Sequence, residues 1–134
     1  MPQLNFPMTQ SPRVTVVMGA SPKSDRYAFR AMRMLLEKGF EAIPVNPAFP
    51  EVLGRACFKT LAEVPQPIDT VTMYLGSARS DPLVEEIIHA RPRRIVFNPG
   101  AENDRLENAA REAGIEVVHG CTLVMLQTGA WQPD

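Results

Sequence analysis

The chain has 134 residues, the size of one domain, since a single hydrophobic core organises about 100–200 residues. Hydrophobic residues make up 45% and charged residues 22%, which excludes the low-hydrophobicity regime of disordered chains. Fourteen cationic side chains against fifteen acidic ones leave a net charge of −1, so no global field recruits nucleic acid or anionic lipid and any anion site must be local.

Residues 1–12 carry Pro2, Pro7 and Pro12 without a hydrophobic period and read as an extended or disordered leader, which places the folded domain over 13–134. Arg13 to Met18 is a β-branched run that ends in Gly19-Ala20-Ser21-Pro22, a buried strand entering a tight turn. Ser24 or Asp25 is placed to cap a helix in which Ala28, Met32, Leu35 and Leu36 share one face, and Gly39 supplies its stop. Phe40 to Val45 reads as a second strand, and Pro44 puts it near an edge or at a position without a ladder bond. Residues 48–67 form a Pro-containing connection with a short helical turn, for which Thr60-Leu61-Ala62-Glu63 offers a capping box. Ile68 to Leu75 alternates as a third strand, and Asp81-Pro82 opens a helix expected to bury Leu83, Val84, Ile87 and Ile88. Ile95 to Phe97 is a short fourth strand, followed by Asn98-Pro99-Gly100 and a helix through Leu106, Ala109, Ala110 and Ala113 that stops at Gly114. Ile115 to Val118 is a fifth strand, and Thr122 to Gln127 a last short helix.

Strands alternating with helices in units of about 30 residues imply right-handed βαβ crossovers. The expected fold is an α/β, Rossmann-like three-layer sandwich with a mostly parallel five-stranded sheet. Ligands of such sheets lie outside the carboxyl ends of the strands, at the switch point. That rule nominates four loops: Gly19 to Asp25, Asn46 to Phe49, Gly76 to Ser80 and Asn98 to Asn103.

The first loop carries the most chemistry. Gly19 permits a sharp turn and close backbone approach, while Ser21 and the following amides can donate to a phosphate oxygen. Lys23, one of only three lysines, and Arg26 supply full charges beside them. The loop is not a dinucleotide fingerprint, having one of the three glycines of G-x-G-x-x-G, nor does it end in the Gly-Lys-Ser/Thr of a P-loop. At the end of the second strand an NAD site wants a carboxylate for the ribose, and Asn46-Pro47 stands there instead, which counts against NAD.

Gly19-Ala20-Ser21-Pro22, the helix near Arg26, Val45-Asn46-Pro47, Leu53-Gly54, Thr60 to Pro65 and Ile68-Asp69, in that order and spacing, resemble the small stand-alone CoA-binding proteins. Those are similar to the CoA-binding domain of the succinyl-CoA synthetase alpha subunit and of the NDP-forming acyl-CoA synthetases. The likeness covers residues 13–127. It implies coenzyme A or acyl-CoA as ligand, with the diphosphate on the turn Gly19, Ala20 and Ser21 and with Lys23 or Arg26 as charge partners. It further implies an adenine and ribose wall at Val45, Asn46 and Pro47, a third-strand border at Tyr74, Leu75 and Gly76, and a pantetheine neighbour at Asn98, Pro99 and Gly100. The chain departs from the family in two places, with Phe97-Asn98-Pro99-Gly100 where many members have a Trp-containing segment and His119-Gly120-Cys121 where they have Asp-Arg-Cys. A second domain with a phosphorylated His, as in the synthetase alpha subunit, has no counterpart, so ligase activity does not transfer.

Two cysteines, Cys57 and Cys121, form no C-x-x-C pair and no disulfide scaffold, and a reducing cytoplasmic setting is the expectation. No signal peptide pattern precedes Pro12, and no window reaches the roughly 18 apolar residues of a membrane span. His89, late in the helix after the third strand, suits a dipole-complementing role. His119 and Cys121 together allow a thiolate pair, the basis of an alternative in which the chain is a small CoA-dependent enzyme; an adenine dinucleotide sensor of the NAD type is a further alternative. No metal-ligand spacing and no catalytic set is visible. Arg91-Pro92-Arg93-Arg94 reads as a solvated turn, and Met32 and Met34 as core filling or an oligomer contact. The reading is a CoA or acyl-CoA binding module, a non-catalytic carrier or sensor, with a protein partner or homo-oligomer left open.

Overall fold

The computed structural model describes residues 13–131, so the expected leader, 1–12, lies outside the described residues. Five strands form one parallel sheet in the order β2-β1-β5-β6-β7: β1 is Val14–Met18, β2 Ala42–Val45, β5 Ile68–Met73, β6 Arg94–Phe97 and β7 Glu116–His119. All five residues of β1 are buried, as a strand covered on both faces requires. Side chains alternate across it: Val14, Val16 and Met18 join Ile87 and Leu106 in one core, while Val17 joins Met32, Leu35 and Leu126 in the other. Accordingly α1 (Tyr27–Glu37) and α5 (Thr122–Thr128) cover one face, and α3 (Val84–His89) and α4 (Asp104–Glu112) the other. The Rossmann-like three-layer sandwich and its five parallel strands are as the sequence predicts.

The second strand is an edge strand, as Pro44 predicts. Its outer side is bridged by Phe58, whose N–H donates to the Pro44 carbonyl (3.0 Å) and whose carbonyl accepts from Asn46 N–H (2.9 Å). Residues 48–67 hold more than the expected turn. A two-stranded hairpin, β3 (Glu51–Val52) with β4 (Arg55–Ala56), turns at Leu53-Gly54, both at positive φ (50° and 77°). That is the left-handed pair of a hairpin turn whose twist matches its strands. A single 3-10 turn follows at Leu61–Glu63.

Helix starts differ from the sequence reading. α1 begins at Tyr27 with Arg26 at its N-cap and no side-chain cap, because a turn closed by Arg26 N–H on the Lys23 carbonyl (3.0 Å) comes first; neither Ser24 nor Asp25 caps it. The capping box at Thr60 is not made either: the Glu63 N–H donates to the Thr60 carbonyl (3.2 Å) and the Glu63 carboxylate accepts the Lys59 N–H (3.1 Å), while the Glu86 carboxylate on α3 accepts the N–H groups of Leu61 and Ala62. Helical structure after β5 starts at α2 (Ser77–Ser80), before Asp81-Pro82, and Asp81 accepts from Asn103 Nδ2 (2.9 Å) rather than capping. Val84 and Ile87 are buried as expected, while Leu83 and Ile88 are half-buried.

The basic run is no solvated turn. Arg94 is 3% exposed, its Nε donates to Thr70 Oγ1 (3.0 Å), one NH1 donates to the Trp131 carbonyl (2.8 Å), and its guanidinium stacks 4.3 Å from the Trp131 ring centre. Arg93 grips Asp69 with two bonds, 2.7 and 2.9 Å, and reaches Glu116 at 3.3 Å. Trp131, distant in sequence, folds back over the amino ends of the strands and buries this arginine. Among the described residues no helix is long and apolar enough to cross a membrane.

Candidate functional site

The strand order reverses between β1 and β5, which stand side by side although a crossover separates them in sequence. Outside their carboxyl ends opens a cleft of about 640 Å³. Its position follows from the backbone at Gly19, which has φ +91°, a left-handed value that favours glycine. A Cβ there would stand 2.9 Å from Leu75 Cδ2 and 3.1 Å from the Tyr74 carbonyl oxygen. The β1 turn therefore lies against the end of β5 with no side chain between them.

Four loop ends supply the lining. From the β1–α1 turn come Gly19, Ser21, Lys23, Asp25 and Arg26, with Tyr27 and Ala28 of the first helical turn; from β2, Asn46, Ala48 and Phe49; from β5, Tyr74, Leu75 and Arg79; from β6, Pro99, Gly100 and Ala101. Ser21 Oγ accepts the Lys23 N–H (3.1 Å), which fixes the turn and leaves the hydroxyl proton for another acceptor. Asn46 uses both ends of its amide: Nδ2 donates to the Ala20 carbonyl (2.8 Å) and Oδ1 accepts from Ala48 N–H (2.9 Å), tying the β1 and β2 loops together.

Of the residues singled out in the sequence, Gly19, Ser21, Lys23, Arg26, Asn46, Tyr74, Leu75, Pro99 and Gly100 meet at this cleft. Ala20 and Val45 are buried beneath its rim, and Pro47 and Gly76 are exposed outside the lining. Asn98 is 2% exposed and sits under the floor, donating to Thr72 Oγ1 (2.7 Å) and the Met73 carbonyl (2.8 Å) while accepting from Thr122 N–H (2.8 Å). It joins β5, β6 and α5 rather than facing the cleft. Arg79, Phe49 and Ala48 escaped the residue-level reading although they lie in the nominated loops, and Tyr27 escaped because it belongs to the helix.

Charge is concentrated here. Lys23, Arg26 and Arg79 line the cleft with one carboxylate, Asp25, and among the described residues none of the four side chains takes part in an ion pair. Burial pushes the Tyr74 phenol up to about 12, against the Thr122 hydroxyl, so Tyr74 is a neutral donor. Burial likewise pushes the Cys57 thiol up; it is half-buried and donates to the Asn46 carbonyl at 3.5 Å. His119 Nε2 lies 2.9 Å from Glu107 Oε1, and its ring stacks on Phe97 with centres 5.5 Å apart. Among the described residues no hydrogen bond joins His119 to Cys121, whose backbone forms the N-cap of α5. His89 is exposed in the last turn of α3.

The sequence matches the CoA binding domain family over residues 13–127. The chain belongs to that family. Among relatives of this CoA-binding-domain protein, YneT of Bacillus subtilis (strain 168) is 29% identical over 111 residues, 83% of this chain and 82% of that one. A crystal structure described as that of an uncharacterized protein shares 39% identity and superposes with a TM-score of 0.84, covering 91% of this chain and all of the other (100%). The ADP-forming acetate–CoA ligase I of Archaeoglobus fulgidus is 28% identical over 75 residues, which are 56% of this chain but 11% of the ligase. The CoA-binding-domain protein thus shares one segment of that ligase.

Proposed function

We propose that this CoA-binding-domain protein binds coenzyme A or an acyl-CoA across the carboxyl ends of β2, β1, β5 and β6, as a non-catalytic carrier, sensor or partner module. The observation that carries the reading is a switch-point cleft with three cations, unpaired among the described residues, and one carboxylate, in a chain of this family. Its volume, about 640 Å³, suits a ligand of cofactor size. The diphosphate rests on the Gly19-Ala20-Ser21 turn, where unpaired first-turn amides of α1 add positive potential to Lys23 and Arg26. The nucleoside lies against Asn46, Ala48 and Phe49, and the pantetheine arm runs past Tyr74 and Leu75 toward Pro99 and Gly100. Neither His119 nor Cys121 lines the cleft, and among the described residues no hydrogen bond joins them, which favours binding over covalent catalysis.

Calorimetry with CoA, dephospho-CoA, acetyl-CoA, NAD and ATP tests the assignment. CoA binding is expected, and NAD binding without a response to CoA would overturn it. Ser21→Asp puts a carboxylate where the diphosphate rests, and is expected to weaken CoA at least roughly tenfold, about 1.4 kcal/mol. Unchanged affinity in a variant with wild-type thermal stability would move the phosphate subsite elsewhere.

A further inference from the structure

Lys23 and Arg26 reach the cleft from the β1–α1 turn, whereas Arg79 reaches it from the opposite wall, on α2 after β5. β1 and β5 are neighbouring parallel strands, so the two walls rise from adjacent strand ends and line one cleft. A guanidinium on one wall and an ammonium on the other can both reach an anion held between them. Arg79 is exposed and, among the described residues, its side chain makes neither an ion pair nor a hydrogen bond.

Its base, by contrast, is tightly held. The N–H groups of Arg79 and Ser80 both donate to the Gly76 carbonyl (3.0 Å each). Ser80 is fully buried and its Oγ accepts from Asn103 Nδ2 (2.7 Å), while Asn103 Oδ1 caps α4 through Leu106 N–H (3.0 Å). Arg79 is therefore an unpaired cation mounted on an anchored backbone at the rim of a cleft whose far wall carries two more. Charge complementarity across such a gap calls for an anion with oxygens on both sides, and a diphosphate has that form. A lone phosphate at the nucleoside end does not, because the nucleoside wall, Asn46 and Phe49, lies on the β2 side of β1, away from β5.

We infer that Arg79 closes a two-sided clamp on the diphosphate of the ligand, opposite Lys23 and Arg26. The inference rests on the CoA reading for its ligand but not for its chemistry, which any diphosphate satisfies. Arg is suited to this place because its planar fork binds two phosphate oxygens at once. Asp25 is the one carboxylate in the lining, and among the described residues it pairs with none of the three cations.

Titration of wild type, Arg79→Ala and Arg79→Lys with CoA, dephospho-CoA, pantetheine and inorganic pyrophosphate tests the clamp. Arg79→Ala is expected to weaken CoA and dephospho-CoA by the same factor, about tenfold. It is also expected to weaken pyrophosphate, to leave pantetheine unchanged and to flatten the salt dependence of CoA binding. Arg79→Lys should recover part of the loss. The inference is overturned if Arg79→Ala binds CoA and pyrophosphate as wild type does, or if the loss appears with CoA and not with dephospho-CoA, which would put Arg79 on the ribose phosphate. Wild type that binds pyrophosphate but no form of CoA, with Arg79→Ala weaker, would uphold the clamp and refute the CoA reading. Wild type that binds none of the four ligands would overturn both.

Discussion

Gly19 shows how one position carries both fold and site. It ends β1, turns at φ +91° and lets the β1 turn touch the end of β5, where a Cβ would meet the Tyr74 carbonyl at 3.1 Å. Leu75 can swing aside, but a backbone carbonyl cannot. Gly19→Ala is expected to cost about 1–3 kcal/mol in urea unfolding, and to weaken ligand binding by shifting the floor of the cleft. Wild-type stability would show that the turn has another conformation open to it. Asn46 makes a related point. In the sequence it matters as a residue that is not the carboxylate an NAD site wants; in the fold it is a donor to Ala20 and an acceptor from Ala48 at once, a pairing no carboxylate can make. Gly19, Ser21 and Lys23 are legible as residues of the cleft because they follow a strand in one short loop. Arg79 is not, since it lines the cleft with residues more than fifty positions earlier.

The strands were legible as elements, and their caps were not. Continuous β-branched runs such as Val14–Met18 announce a buried parallel strand whatever surrounds them. Caps depend on which polar group arrives first, and here several go elsewhere: the Glu63 carboxylate takes the Lys59 amide, Glu86 takes those of Leu61 and Ala62, and Asp81 is drawn to Asn103. The hairpin of β3 and β4 went unread because Leu53 is not a residue that advertises positive φ. Asn103 is the side chain that does cap, and it also holds Ser80 and Asp81 across the β5 connection. Asn103→Ala is expected to destabilise the protein by about 1–3 kcal/mol, at or above the usual cost of a lost cap, because the buried Ser80 hydroxyl and the exposed Asp81 carboxylate lose a donor as well. A loss below about 0.5 kcal/mol in chemical denaturation would show that water replaces Asn103 at all three contacts.

Both ends of the sheet are pinned by polar groups far apart in sequence. At the carboxyl ends Asn98 joins β5 to β6 and α5; at the amino ends Arg93 joins Asp69 of β5 to Glu116 of β7, and Arg94 lies under Trp131. Burial raises the Asp69 carboxyl, but its bonds to Arg93 and Thr70 outweigh burial and hold its pKa below the ordinary value. A carboxyl depressed in the folded state adds stability that is complete above its unfolded pKa, about 4, and is lost as pH falls through the lower folded value. Wild type should therefore lose stability in acid more steeply than Asp69→Asn, by about 1 kcal/mol for a partly exposed pair. Parallel pH profiles of the two proteins below pH 4 would remove the pair from the acid response. Strand count, parallel sense, the edge position of Pro44 and the loops that bear the site follow from local pattern, because burial on both faces and turn chemistry are written residue by residue. The meeting of Gly19 with Leu75, the gathering of Arg79 with Lys23 and Arg26 at one cleft, and the burial of Arg94 do not. Each is a contact between segments joined only by crossovers or a returning tail, and such contacts exist once the sheet order has brought the segments together.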